Sequence, residues 1–391
     1  MEEFCIFFVL SLWLIFGFLS FGVLGLSYFS NRRFANKPWN LKIDESYRPT
    51  VSIIVPTFNE EEVIGYKLRN LGKLEYNKDL MQLIFVDSQS TDSTVNQIEQ
   101  FMSANRDIRS KLIVEPKRKG KSSALNTALQ FCDGDVVVIS DADSFWPPDI
   151  LMKSLPYLAD STIGAVSGPK ILLNGKSSSA GKSEKDYLLS MNMMKLGESK
   201  KSSTTLFEGG FSAYKREVLD SFDPYETGSD DCGTVIRTLE KGYRAIMIPE
   251  GRFFTTFPQT WKGKMEIKIR RANQILKVFW KYTYLLIHSK IKTGKGNILR
   301  NLVVYLLAPW VFLLFTAATL YLFIIFPFAI LILLLFIVPK VNTYIIEVIM
   351  NYLVLIFSTI SSISGKSFRL WKKPQDRALF TEGMLVRENL I

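Results

Sequence analysis

The run Val136-Val137-Val138-Ile139-Ser140-Asp141-Ala142-Asp143 carries two carboxylates, separated by one residue, out of an apolar stretch and into a turn closed by Trp146-Pro147-Pro148. Four consecutive β-branched residues followed by polar turn residues predict a buried strand. Asp-x-Asp at a strand end adds nothing to a core. It suits a hard divalent cation such as Mg2+, which takes one or two carboxylates and leaves its other positions to ligand oxygens and water. The spacing alone also fits a solvated acidic turn.

Two more polar clusters bear on the same chemistry. Lys117-Arg118-Lys119-Gly120-Lys121-Ser122-Ser123 has the outline of a phosphate loop, but the first glycine of a Walker A motif would fall on Glu115. The other Gly-Lys-Ser triplets, at Gly175, Gly181 and Gly365, have Lys170, Lys176 and Ile360 at that place. What remains is a basic turn feeding a helix N-terminus at Ser122, a place suited to a diphosphate. Gly228-Ser229-Asp230-Asp231 leads into a helix over 234–241, where paired acids supply either a general base or a dipole-complementing cap.

The rest of the inventory narrows the reaction. His288 is the single histidine, and Cys5, Cys132 and Cys232 show no zinc or disulfide spacing, so the chemistry must run on carboxylates, lysines or a metal. The net charge of +11 collects beside apolar segments and in the stretch 111–121 rather than along a helix that could read DNA. Attraction to anionic lipid and to a nucleotide diphosphate accounts for it, and nucleic acid is not expected as a partner.

The elements that must position these groups alternate. Strands are expected at 51–56, 83–86, 111–114 and 136–139, with helices at 60–74, through Ile98 and Phe101, and at 122–131. This order implies a parallel sheet, whose ligands sit at the carboxyl ends of its strands. Asp87 and Asp141/Asp143 occupy such ends and should face one crevice. The Ser-, Lys- and Gly-rich segment 171–201 reads as a loop or linker.

Apolar stretches flank this segment. Phe4 to Phe29 is long enough to cross a hydrocarbon core of about 30 Å, with Glu2 and Glu3 before it and Arg32, Arg33 and Lys37 after it. That polarity predicts an uncleaved anchor with the chain beyond Arg32 in the cytoplasm. Leu302–Val338, interrupted by Pro309 and Pro327, and Tyr344–Ile360 add two or three further spans. The basic tail (Lys366, Arg369, Lys372, Lys373, Arg377) favours a cytoplasmic end and so a single span in the first block. A transporter is disfavoured because these spans hold almost no charge besides Glu347.

Taken together, these residues resemble the family 2 glycosyltransferases, inverting enzymes of the GT-A fold. The resemblance rests on Val55-Pro56-Thr57-Phe58-Asn59-Glu60-Glu61, Phe85-Val86-Asp87-Ser88, Gly120 to Asn126, Asp141-Ala142-Asp143, Gly209-Gly210 with Tyr214-Lys215-Arg216, and Asp231 with Arg237 and Gly242-Tyr243-Arg244. It implies an α/β fold: a GT-A (nucleotide-diphospho-sugar transferase, Rossmann-like) catalytic domain flanked by transmembrane helices. By the same resemblance Pro56, Thr57, Glu60, Asp87, Lys121, Asp141 and Arg271 would bind the donor, and Gly209, Gly210 and Tyr214 would lie on the acceptor side. Asp143 and Asp141 would hold Mg2+ or Mn2+, Asp231 would be the general base, and Asp230 would stand in the place of the family's usual glutamate. The corresponding domains are an anchor at 1–30, a linker at 31–49, a cytoplasmic GT-A domain at 50–257, amphipathic interfacial helices at 258–298, spans within 299–363 and a basic tail at 364–391.

The family's processive polysaccharide synthases carry Gln-x-x-Arg-Trp where this chain has Lys268-Ile269-Arg270-Arg271-Ala272. Without the Trp, the expectation is transfer from a nucleotide-diphosphate sugar, a UDP-sugar by preference, to a lipid or lipid-linked saccharide at the cell membrane. A processive synthase extruding its polymer through the C-terminal helices is the alternative enzyme. A non-catalytic nucleotide-binding scaffold is the alternative of another class, disfavoured by intact Asp87, Asp143 and Asp231.

Overall fold

The computed structural model describes residues 2–325, 339–363 and 380–391. The chain opens with one long helix, α1 (2–35), which contains a π turn at Phe18–Gly22. Strands β1 (Val51–Thr57), β2 (Met81–Asp87), β3 (Arg109–Val114) and β4 (Val136–Ile139) alternate with helices α2 (Glu61–Gly72), α3 (Thr94–Ala104) and α4 (Lys121–Leu129). Helix α5 (Ile150–Ser154), strands β5 (Ile163–Ser167) and β6 (Lys170–Leu172), and helix α6 (Ser179–Lys201) follow. Next come β7 (Ser212–Lys215), α7 (Asp230–Lys241), β8 (Arg244–Met247) and β9 (Phe253–Thr255). Helices α8 (Trp261–Ile287), α9 (Lys295–Ile325), α10 (Pro339–Ile363) and α11 (Glu382–Arg387) complete the described chain.

The main sheet has the order β3-β2-β1-β4-β7-β5-β8, and β6 pairs with β9 in a small second sheet. Strand β1 runs parallel to both β2 and β4, with Thr57 beside Asp87. The acidic ends of β2 and β4 therefore emerge at one edge. The sheet is not wholly parallel as the alternation implied, because β7 runs antiparallel to β4 and β5. Ile139 pairs with Ser212, so the antiparallel direction delivers Gly209-Gly210 to the same edge as Asp141.

β1 and β4 are almost wholly buried because helices cover both sheet faces. One face packs Ile64, Leu68 and Leu71 of α2 with Ile98 of α3, and the other packs α4, α7 and part of α8. The region 258–298, expected to hold interfacial helices, contains the 27-residue helix α8, whose Val278, Phe279 and Tyr282 pack in the core on one face of the main sheet.

Segment 171–201 is not a loop either. Ser178 caps α6 by accepting from the Gly181 amide at 3.0 Å, and its small residues serve close packing. A Cβ on Gly197 would lie 2.1 Å from the Asn31 carbonyl oxygen, so α6 and α1 touch backbone to backbone there.

Among the described residues, three helices are long and apolar enough to cross a membrane: Phe7–Ala35, Lys295–Ile325 and Ile345–Ser362. Pro309 does not end its helix. A π turn at Val303–Leu307 directly precedes it, and the helix continues to Ile325. Pro327 and the basic residues from Lys366 to Arg377 lie outside the described residues.

Candidate active site

A cavity of about 930 Å³ opens at the carboxyl edge of the sheet. Pro56, Thr57, Glu60, Lys121, Asp141, Asp143, Gly209, Gly210, Asp230, Asp231 and Arg271 all line it. Asp87 and Tyr214 do not lie on this wall.

Lys121 is the hub of the cavity. Gly120, with φ 102°, turns the chain into α4 and sets Lys121 as the first helical residue. Its ammonium lies 2.6 Å from Asp141 Oδ1 and 2.8 Å from Asp230 Oδ2, joining the ends of β4 and α7. Burial opposes the charge on Lys121, but Asp141 and Asp230 outweigh burial and hold its pKa above the ordinary value. Asp230 goes up to about 6, pushed first by burial and then by Asp231 and Asp141, against the downward pull of Lys121. Gly209 lies over this pair: a Cβ there would stand 3.0 Å from Lys121 Nζ and 3.3 Å from Asp141 Oδ2.

Asp231 is oriented by its own helix start. Its Oδ1 accepts from the Cys232 amide at 2.7 Å and from the Ser229 hydroxyl. Asp143 sits in the turn after β4, which Ser144 closes by donating its amide to the Asp141 carbonyl at 3.1 Å. Among the described residues, no three His, Cys, Asp or Glu side chains cluster closely enough to hold a metal by themselves. Two carboxylates at a cavity wall, one tied to a lysine, instead fit a divalent cation that completes its shell with diphosphate oxygens and water. Asp143 and Asp141 are the carboxylates of this turn that could hold such an ion.

The Asp87 carboxylate is fully buried behind the wall. It accepts from Thr57 Oγ1 at 3.0 Å and from the Ser90 amide at 2.7 Å, holding the β1 and β2 loops together rather than reaching the cavity. Tyr214 departs from its acceptor-side assignment: its ring is buried in the core between Phe207 and Phe222.

The far wall holds groups the sequence did not single out. Lys195 lies 2.6 Å and Lys170 3.3 Å from Glu208, and all three face the cavity. Burial raises the Glu208 pKa, but Lys195, Lys170 and Arg271 outweigh it and hold the carboxyl well below its ordinary value. Leu188, Met191 and Lys195 line the cavity at steps of three and four along α6, a helical spacing that was present in the sequence. On the opposite side, Arg118 stacks 3.8 Å over the Phe58 ring, a flat platform beside the β1 loop.

The altered Gln-x-x-Arg-Trp segment lies on α8. Lys268 points away from the cavity to Glu347 and Asn351 of α10, at 3.1 and 3.0 Å. Ala272 packs against the candidate spans with Phe312 and Tyr352, while Arg270 and Arg271 turn inward. Arg271 also lies 3.8 Å from Glu184 of α6.

Residues 52–222 match the family described as Glycosyl transferase family 2. A mannosyltransferase from Pyrobaculum calidifontis, solved with GDP-Man and Mn2+, superimposes with a TM-score of 0.76 at 30% identity, over 92% of this chain and 100% of that one. The chain belongs to glycosyl transferase family 2. The sheet described above is thus the GT-A sheet of a glycosyltransferase.

Other relatives are more distant. A probable glycosyltransferase of Bacillus subtilis, YdaM, is 28% identical over 241 residues, 58% of this transferase and 56% of that protein. A beta-monoglucosyldiacylglycerol synthase of Synechocystis is 35% identical over 126 residues, 32% of this chain and 26% of that one. The transferase therefore matches little more than half the length of the first of these relatives and about a quarter of the second.

Proposed function

We propose that this transferase moves a sugar from a nucleotide-diphosphate sugar, with inversion, to a membrane-associated lipid or lipid-linked saccharide. The observation that carries this reading is the set of Asp143, Lys121, Asp231 and Arg271 around one cavity that also touches Tyr305, within a candidate span.

A bound Mg2+ or Mn2+ would neutralise charge on the leaving diphosphate as a Lewis acid, held by Asp143 with Asp141 beside it. Lys121 and Arg271 add fixed positive charge where the diphosphate departs. Asp231, pinned by its own helix start, takes the proton of the acceptor hydroxyl, and attack on the face opposite the diphosphate inverts the anomeric carbon. The Phe58–Arg118 platform offers a face on which a nucleobase can stack. The solved mannosyltransferase holds GDP-Man, so GDP-mannose joins the UDP-sugars as a first donor to test.

Single transfer, rather than polymer extrusion, is supported by Lys268 and Ala272, which spend the Gln and Trp positions on contacts with the membrane helices. We read residues 50–257 as the catalytic domain and assign it to the cytoplasm, with three spans. Packing of residues 380–391 on that domain supports an even number of crossings after α8. The test is hydrolysis and transfer of labelled nucleotide sugars by purified protein, with and without a membrane lipid extract. Metal-dependent turnover lost in Asp143→Ala supports the reading; no donor turned over by the wild-type protein overturns it.

A further inference from the structure

Beyond the last candidate span, the chain returns to the catalytic domain at a specific place. Phe380, Leu385 and Leu390 are buried in an apolar cluster with Val63, Phe145 and Phe254. The Phe380 ring meets the Phe145 ring edge-on, with centroids 4.6 Å apart. Phe145 follows the Asp143 turn directly and exchanges backbone hydrogen bonds of 2.8 Å with Phe254 of β9.

Asn70 of α2 makes the second tie. Its Nδ2 donates to the Trp146 carbonyl at 2.8 Å and to the Leu390 carbonyl at 2.6 Å. Its Oδ1 accepts from the Trp146 amide at 3.0 Å. One buried side chain thus joins the peptide after the acidic turn to residue 390. One turn earlier on α2, buried Lys67 donates to the Ser144 carbonyl at 2.6 Å.

The turn 141–146 leaves the main sheet after Ile139 and is held instead by the Phe145–Phe254 backbone pair, by Lys67 and Asn70, and by the packing of Phe380 on Phe145. Its position depends on outside contacts, and catalytic geometry tolerates little error in such a position. We propose that residues 380–391 are a positioning clamp for the Asp143 turn, so that metal and donor binding depend on a segment lying beyond the membrane helices. The proposal rests on the reading of Asp143 as the metal ligand.

The experiment compares Phe380→Ala, Phe380→Tyr, a chain ended after residue 379 and Asp143→Ala with the wild-type protein in one detergent. Mn2+ half-saturation, donor KM, acceptor KM and thermal midpoint are measured for each. Phe380→Ala and the shortened chain should raise Mn2+ half-saturation and donor KM about tenfold, within the loss a small misplacement of a catalytic group causes. Acceptor KM should stay near wild type, Phe380→Tyr should restore the values, and a peptide of residues 380–391 should rescue the shortened chain. Unchanged Mn2+ half-saturation in Phe380→Ala overturns the clamp, as does a uniform fall in stability with donor and acceptor KM moving together. If Asp143→Ala leaves Mn2+ half-saturation unchanged, the metal reading itself fails, and the clamp fails with it.

Discussion

Lys121 Nζ lies 2.8 Å from Asp230 Oδ2, so the basic turn before α4 and the acidic start of α7 meet inside one cavity. The same ammonium holds Asp141, which makes it the group that fixes the spacing between the proposed cation-binding turn and the helix proposed to carry the base. Lys121→Met should lower kcat/KM for the donor by about a hundredfold, in line with the ~2–3 kcal/mol carried by a charged hydrogen bond in a site. Steady-state kinetics with varied donor checks this.

Burial, together with Asp231 and Asp141, pushes the pKa of Asp230 up to about 6. Below that value it is neutral and Lys121 loses one anionic partner, so kcat/KM should fall toward acid with a limb near pH 6. That limb should vanish from the pH profile of Asp230→Asn. The folded-state value lies above the ordinary 3.8, so ionising Asp230 costs stability, and this cost grows as pH rises from about 4 through 6. Thermal midpoints measured across that window should fall in the wild type more than in Asp230→Asn.

Asp231→Asn keeps the side-chain shape and removes the proposed base. Transfer should drop by a factor of about 10² to 10⁴, the usual contribution of a general base, while donor affinity stays near wild type. Calorimetric donor binding beside single-turnover transfer separates the two quantities. Asp143→Asn should behave differently, weakening donor binding and turnover together, with a shifted metal titration.

Glu347 of α10 pairs with Lys264 at 3.2 Å and Lys268 at 3.1 Å. Glu347→Gln leaves two buried ammonium groups facing an amide, a change worth about 3–5 kcal/mol where a buried pair is broken. The thermal midpoint in detergent should fall clearly, and Lys268→Gln added to Glu347→Gln should recover part of it.

Much of this site was readable in advance because it depends on local order. Strand β4, its Asp-x-Asp end and the Gly120 turn are set by β-branched runs and glycine chemistry within a few residues. The misreadings have a common cause. Segment 171–201 looked like a loop or linker because Ser, Lys and Gly dominate it, whereas Gly181, Gly197 and Ser199 are buried along α6. Its charged residues find partners far along the chain, Glu184 near Arg271 and Glu198 at 2.8 Å from Arg300, which no local pattern reveals. Strand β7 escaped notice for the same reason: its antiparallel place is decided by β4 and β5. Asp87 was expected to face the crevice, but position at a strand end does not say which side of the wall a side chain takes, and Tyr214, placed by resemblance alone, is buried behind the wall as well.

The contact between Phe380 and Phe145 also orders events during synthesis. Residues 136–146 leave the ribosome long before residue 380, and α9 and α10 must be translated in between. The packing around Phe145 therefore closes only after the candidate spans have been made, so a chain still under synthesis lacks part of the contact set beside the acidic turn.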